Sequence, residues 1–459
     1  MSFIFYDTET TGTDPVFDQL LQFAAVRTDD DLNVTDKFNT RCRLLPWVVP
    51  APGAMLVTSV TPSMLLDAPL SYFDMMGEIH KTMTAWSRGG AVFLGWNSLR
   101  FDEGFLRQSF YQTMLPVYLT VTGGNGRGDV MRMAQFVSIC RPGALNLAAG
   151  SNGKATFRLG PFAEANGVVL DNAHEAMADT MATLAIARLI HQRAPEVWHP
   201  MVENSRKAVV QRLVEDNSIL VLVDYFGASP FSSIVTPIGP NASDTAEYAF
   251  FDLEFTPGDI LTQDEATLAQ TLARTPKPIR TVRLNAQPGL LPFSLAPREM
   301  KQGLLALSDY EARAAEVKAS KLFCTRVGKV LAARYASDQK AEHVEQAIFD
   351  GFPTNADTSR MRKFHAADLA RRAEMISEFA DPRWKEFAWR FIGAENPDAL
   401  GEEDAARWRA WRDARVRANA EVPWRTVPAA LEEVATKRTS AGAQELAMLA
   451  QIEQFLHTL

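Results

Sequence analysis

Cysteine is scarce: Cys42, Cys140 and Cys324 are the only three in 459 residues, and their wide spacing excludes both a disulfide framework and a clustered zinc site. They fit a reducing compartment. No uninterrupted apolar run reaches the ~18 residues that read as a membrane helix, and the opening Met-Ser-Phe-Ile-Phe-Tyr lacks a basic n-region. The expectation is a cytoplasmic chain with no membrane partner. Positive charge is also short, with 14 basic against 18 acidic residues over 1–190, 33 against 37 over 191–459, and a net charge of −8. A polyanion would have to be held by a local basic patch or through cations rather than by the global field. Internal repeats, heptad arrays and low-complexity tails are absent, which excludes solenoids and coiled coils. What is present in quantity is apolar sequence, 47% of the chain, enough for two or three domains with cores of their own.

The first 190 residues interleave strands and helices, which argues for an α/β domain. Residues 3–9, 20–27 and 38–44 read as the opening strands of a mixed sheet. The segment Pro46 to Gly53 carries three prolines and cannot pair as a central strand, so it is expected to be a rigid surface loop. Helical pattern runs from Ser63 to Trp86. An apolar strand, Ala91 to Trp96, leads into a helix opened by Asp102, and Thr122 to Gly128 reads as a glycine-rich loop before a helix over Val130 to Cys140. Further helices are expected over 155–167 and over Glu175 to Ile190. Between 216 and 300 the runs become β-rich, as in Ser218 to Tyr225 and Ala249 to Leu253, and predict a small, barrel-like β domain with a helix inserted over 262–275. From Asp309 the pattern is helical, with a break at Gly351-Phe352-Pro353. The expected division is 1–193, 196–350 and 353–459.

Three acidic signals stand out. In Asp7-Thr8-Glu9-Thr10-Thr11-Gly12 two carboxylates lie two apart on a strand, hence on one face at roughly 6 to 7 Å. Like charges that close call for a proton or a cation, and oxygen-only ligands suit Mg²⁺ or Mn²⁺. Asp102 follows the C-terminal end of an apolar strand, where open α/β sheets gather ligands, and also suits a helix N-terminus. The third signal is His174-Glu175-Ala176-Met177-Ala178-Asp179, with His174 in the loop before a helix and Asp179 on its second turn. Asp7, Glu9, Asp102 and Asp179 form a set able to hold two divalent ions roughly 3.5 to 4 Å apart for phosphodiester hydrolysis. His174, titrating near neutrality, suits the general base.

These motifs, in this order and at these separations, closely resemble the DEDD 3′-to-5′ exonucleases of the histidine-containing subclass. Cys42-Arg43, Pro50-Ala51-Pro52-Gly53-Ala54, Asn172 to Asp179 and Trp389 to Pro397 extend the resemblance across the chain to the bacterial exodeoxyribonuclease I family. The resemblance implies a ribonuclease H-like mixed-sheet domain, an SH3-like β-rich domain and a C-terminal α-helical domain. It implies two Mg²⁺ ions on the four carboxylates, with Mn²⁺ substituting, and His174 as base. The implied substrate is single-stranded DNA degraded to 5′-mononucleotides. A single-strand-binding protein is the implied partner, and the implied roles are DNA repair and recombination.

Arg158, in Lys154-Ala155-Thr156-Phe157-Arg158-Leu159, suits bidentate phosphate contact. Glu9, Thr10 and Thr11 are placed to meet the terminal nucleotide, Thr10 and Thr11 through hydroxyl or backbone N–H groups. Phe101 suits either stacking on a base or filling the core, and the core is favoured. Lys318, Lys321, Arg326, Lys329 and Arg334 make no single stripe, which favours a solvated helix face over a DNA groove. The alternatives are an exoribonuclease of the same superfamily, usually a dimer of ~200-residue chains, and a non-catalytic single-strand clamp. The longer chain here favours long DNA and a monomer, and all four carboxylates are present.

Overall fold

The computed structural model describes residues 1–150, 153–169, 175–226, 229–297, 305–334 and 341–459. Five strands form the first sheet: β1 (Ser2–Thr10), β2 (Leu20–Thr28), β3 (Val34–Arg41), β4 (Ala91–Gly95) and β5 (Gly126–Asp129), in the order β3-β2-β1-β4-β5. The first three make an antiparallel meander, and β4 and β5 add parallel to β1. The mixed sheet expected from the sequence is therefore present.

Period-2 alternation sorts β1 between two cores. Phe3 and Phe5 face helices α5 (Val130–Cys140), α7 (Ala176–Arg193) and α8 (Pro195–Glu203). Ile4 and Tyr6 face α3 (Tyr72–Trp86), α4 (Asp102–Gln112) and the C-terminal helices. Continuing the same alternation, Asp7 and Glu9 emerge on the side of α7 and Thr8 on the side of α4.

Several sequence expectations change. The glycine-rich stretch before α5 contains β5, which no apolar pattern announces because its residues Gly-Arg-Gly-Asp are chosen for close approach. A Cβ on Gly126 would lie 2.4 Å from Ser205 Oγ. The Pro46–Gly53 loop is unpaired as expected but is not superficial. Trp47, Val48, Val49 and Ala51 are buried, with the Trp47 ring 5.8 Å from Phe391 and 5.5 Å from Trp411, and Pro52 begins helix α1 (Pro52–Thr58). The single helix expected over Ser63–Trp86 is two: α2 (Pro62–Leu66) ends before Pro69, and α3 restarts with Ser71 accepting from the Asp74 N–H at 3.1 Å. The third strand is Val34–Arg41 rather than 38–44. Residues 155–167 open with a strand, β7 (Ala155–Thr156, paired with β6, Ala148–Ala149), before helix α6 (Leu159–Ala165).

After α8 and α9 (Lys207–Asp216) comes a second, antiparallel sheet of β8 (Leu220–Phe226), β9 (Ser229–Pro240), β10 (Glu247–Asp252), β11 (Ile279–Arg283) and β12 (Gly289–Pro292). Its order is β11-β10-β9-β8-β12, and the short turn 284–288 joins β11 to β12, the two ends of that ladder. The inserted helices are α10 (Gly258–Thr262) and α11 (Glu265–Ala273). One apolar cluster runs from β1 through α5, α7 and α8 into β8, β9 and β10 and on to α12 (Leu307–Ala319) and α13 (Lys321–Ala333).

Helices α14 (Asn355–Ala366), α15 (Leu369–Met375), α16 (Pro382–Glu395), α17 (Glu402–Val416), α18 (Val427–Arg438) and α19 (Ala443–Leu456) close the chain against α1 to α4. Among the described residues no helix is long and apolar enough to cross a membrane.

Candidate active site

Asp7 and Glu9 project from the C-terminal half of β1, opposite Ala24 and Gln22 of β2. Helix α7 points its N-terminus at the same place. Glu175 caps it, accepting from the Ala178 N–H at 3.1 Å, and is itself held by Gln22 Nε2 at 2.7 Å. That cap fixes the first turn, which carries Asp179. One carboxylate oxygen from each of Asp7, Glu9 and Asp179 lies within 4.8 Å of the others.

Asp102 arrives from the other side of the strand. It is the first residue of α4, 3% exposed, and its Oδ1 accepts from Thr8 Oγ1 at 2.6 Å. It thus stands outside the three-carboxylate group, although its charge reaches both Asp7 and Glu9.

Burial and mutual repulsion act together on these groups. Desolvation, then the charges of Asp102, Glu9, Asp179 and Glu175, raise the Asp7 carboxyl well above the usual range. Glu9, 7% exposed, is pushed to about 8 by desolvation and then by Asp179, Asp102 and Glu175, with Arg41 opposing. Asp102 rises to about 7, chiefly through burial, against the Thr8 hydrogen bond that favours its charged form. Converging, poorly solvated carboxylates of this kind fit a small hard cation, which would replace the missing water and cancel the repulsion.

Of the other residues singled out from the sequence, His174 lies outside the described residues. Thr10 is buried and its hydroxyl donates to the Gly12 carbonyl at 2.7 Å; Thr11 Oγ1 donates to Asp18 Oδ1 at 3.0 Å. Both hydroxyls serve the turn after β1, and the Thr11 N–H donates to the Gln19 carbonyl at 2.9 Å, so the turn uses that group as well. Arg158 is exposed at the start of α6. The residue before it is pinned, since Phe157 is buried and its carbonyl accepts from Trp96 Nε1 at 2.8 Å. Phe101 is half-buried and packs on Phe105 at 4.9 Å. Lys318 donates to Ser218 and Arg326 to the Gln263 carbonyl. Arg390 is buried between Glu345, at 2.7 Å, and Glu386, at 2.9 Å, so it braces the helical region.

Sequence reading assigned no role to Glu175 or Asp129. Glu175 has the N-cap position three residues before Ala178 as its signal. Asp129 caps α5 through the Met131 N–H at 3.0 Å, and the step from Gly-Asp into an apolar helix was the available clue.

Comparison with known proteins agrees with this geometry. Residues 4–187 match the exonuclease family, and residues 342–459 match the exonuclease I C-terminal domain. The exodeoxyribonuclease I of Haemophilus influenzae is 27% identical over 443 residues, covering 91% of each chain, and that of Escherichia coli 26% identical over 424 residues, covering 89% of this chain and 88% of its own. In structure, E. coli exonuclease I in complex with a dA16 oligonucleotide superposes with a TM-score of 0.87 at 24% identity, over 100% of this chain and 99% of that one. Exonuclease I from Methylocaldum szegediense gives 0.86 at 23%, with the same coverage. The chain is an exodeoxyribonuclease I-like member of the DEDD exonuclease superfamily.

Proposed function

We propose that the protein is a 3′-to-5′ exodeoxyribonuclease that degrades single-stranded DNA to 5′-mononucleotides and serves DNA repair and recombination. The observation that carries the reading is the convergence of Asp7, Glu9 and Asp179 within 4.8 Å, at the C-terminal end of the central strand of a sheet whose neighbouring strand β4 leads to Asp102. Those four carboxylates would hold two Mg²⁺ ions, or Mn²⁺ in their place. When bound, such ions lower the pKa of water and neutralise charge on a phosphodiester in flight.

The chain's own groups do the rest. Asp7, Glu9 and Asp179 orient their oxygens toward one point, held there by the strand and by the Glu175 cap. His174, five residues before Asp179, takes the proton of the attacking water. Arg158 binds a phosphate of the strand, and Glu9 and the Thr10 backbone meet the 3′-terminal nucleotide. Residues 1–193, 196–350 and 353–459 act as exonuclease, SH3-like and helical domains, the last two keeping the polymer on the enzyme. E. coli exonuclease I has been seen with dA16 and dT13 oligonucleotides, and a further structure is of a single-strand-binding protein/exonuclease I complex with an inhibitor. Those relatives support single-stranded DNA as substrate and a single-strand-binding protein as partner; the length of the chain favours a monomer.

End-labelled single-stranded DNA, duplex DNA and RNA, each with Mg²⁺ and with EDTA, test the reading. Metal-dependent loss of nucleotides from the 3′ end of single-stranded DNA is expected. Preference for RNA, or cleavage in EDTA, would overturn it.

A further inference from the structure

The turn joining β11 to β12 lies far from any substrate-facing motif in the sequence, yet it is built into the exonuclease sheet. Gln287, on that turn, is fully buried and holds a left-handed φ of 48°. Both ends of its amide are used: Oε1 accepts the Asp129 N–H at 2.7 Å, and Nε2 donates to the Met201 carbonyl of α8 at 3.0 Å. The flanking carbonyls are gripped as well. Arg127 donates to Asn285 O at 3.1 and 3.2 Å, and Arg132 to Ala286 O at 3.0 Å. A Cβ on Gly128 would sit 2.5 Å from Gln287 Nε2, so the glycine of β5 is what admits the side chain.

Asp129 passes the constraint onward. Its backbone is fixed by Gln287, and its own Oδ1 accepts the Asn97 N–H at 2.9 Å. Asn97, at φ 59°, starts the loop that leads to Asp102. Ser98 Oγ donates to the Gly128 carbonyl at 3.3 Å, and the Glu103 N–H donates to Ser98 O at 2.9 Å. Among the described residues β5 is the edge strand of its sheet, and the acceptor for the Asp129 N–H comes instead from the turn of the second sheet.

We propose that Gln287 and Asp129 form a positioning relay by which the second sheet fixes the Asn97–Asp102 loop, making Gln287 a residue of the nuclease reaction that acts through Asp102. This rests on the proposed nuclease function. Neither residue touches substrate. Their part is to hold the Asp102 carboxylate, which accepts from Thr8 and whose charge reaches Asp7, to the sub-ångström tolerance that a preorganised site requires.

The test compares Gln287→Met, which keeps the length of the side chain without its amide, Asp129→Ala, and the double variant. Each single variant is expected to lose about tenfold in kcat on single-stranded DNA and to need several-fold more Mg²⁺ for half-maximal rate, with KM for DNA within about twofold. The double variant should be no worse than the worse single one, because one relay is broken twice. Additive losses, or a folded Gln287→Met with the kcat and Mg²⁺ demand of the parent, would overturn the relay.

Amide hydrogen exchange keeps the inference separate from the functional reading. In the unaltered protein the Asp129 and Asn97 amides should be protected, and in Gln287→Met they should exchange faster. If the unaltered protein fails to cut DNA, the functional reading falls and exchange still decides the relay. If Gln287→Met does not fold, exchange in the unaltered protein decides alone: Asp129 and Asn97 amides as fast as those of an exposed loop refute it.

Discussion

Removing divalent cations should make stability fall as pH rises, and the structure sets both sign and window. Glu9 goes from an ordinary 4.5 to about 8, and Asp7 lies well above its usual value, so between those limits the folded state binds more protons than the unfolded state. Stability then decreases with increasing pH, by up to about 1.4 kcal/mol per pH unit for each group. Two half-buried histidines act the other way at lower pH. His80 and His365 are pushed down to about 4 by burial, so their neutral forms add stability as pH rises toward the ordinary value of 6.5.

The interval from pH 6.5 to 8 therefore isolates the carboxylates. Over it Glu9 and Asp7 together would cost at most about 4 kcal/mol, and Asp102, raised to about 7, adds about 1 kcal/mol or less; the repulsion that the three share must be counted once, which leaves about 2 to 3 kcal/mol. For a cooperative unit of ~190 residues that is roughly 5 to 10 °C in Tm. Thermal unfolding in EDTA and in excess Mg²⁺, at half-unit steps of pH, measures it. The EDTA curve should fall across the interval and the Mg²⁺ curve stay level, so that stabilisation by the ion grows with pH. A metal-free protein more stable at pH 8 than at 6.5, or an ion effect independent of pH, would refute the reasoning.

Other perturbations have distinct signatures. Asp179→Ala should abolish cleavage while leaving single-stranded DNA binding largely intact by fluorescence anisotropy; near-parental turnover would remove Asp179 from the site. His174→Ala should lower kcat by about 10² to 10⁴, the usual worth of a general base, and flatten the acid limb of the pH–rate profile. Glu345→Ala leaves Arg390 and Arg415 buried without the carboxylate each meets at 2.7 and 2.6 Å, and should cost about 3 to 5 kcal/mol in urea unfolding.

The site was legible where its geometry is local. Asp7 and Glu9 share a face because strand period is 2, and Asp179 faces them because α7 begins where its cap residue says it should. What depended on distant chain was hidden. The Pro46–Gly53 segment reads as a surface loop by composition, but the Gly53 N–H donates to Glu433, and helices that arrive some 380 residues later bury it. Strand β5 escapes a hydrophobic pattern because its glycines exist to admit Ser205 and Gln287. Asp102 was read as an equal member of one carboxylate set, and only the structure shows its oxygen bonded to Thr8, on the opposite face of β1 from Asp7 and Glu9. Strand alternation says nothing about a residue delivered by a neighbouring helix.

The central claim is that Asp7, Glu9 and Asp179 converge to hold divalent cation. Anomalous scattering from crystals soaked in Mn²⁺ tests it most directly. Peaks within coordination distance of all three carboxylates, lost in Asp179→Asn, are the expected result; a protein saturated with Mn²⁺ yet showing no peak between these side chains would contradict it.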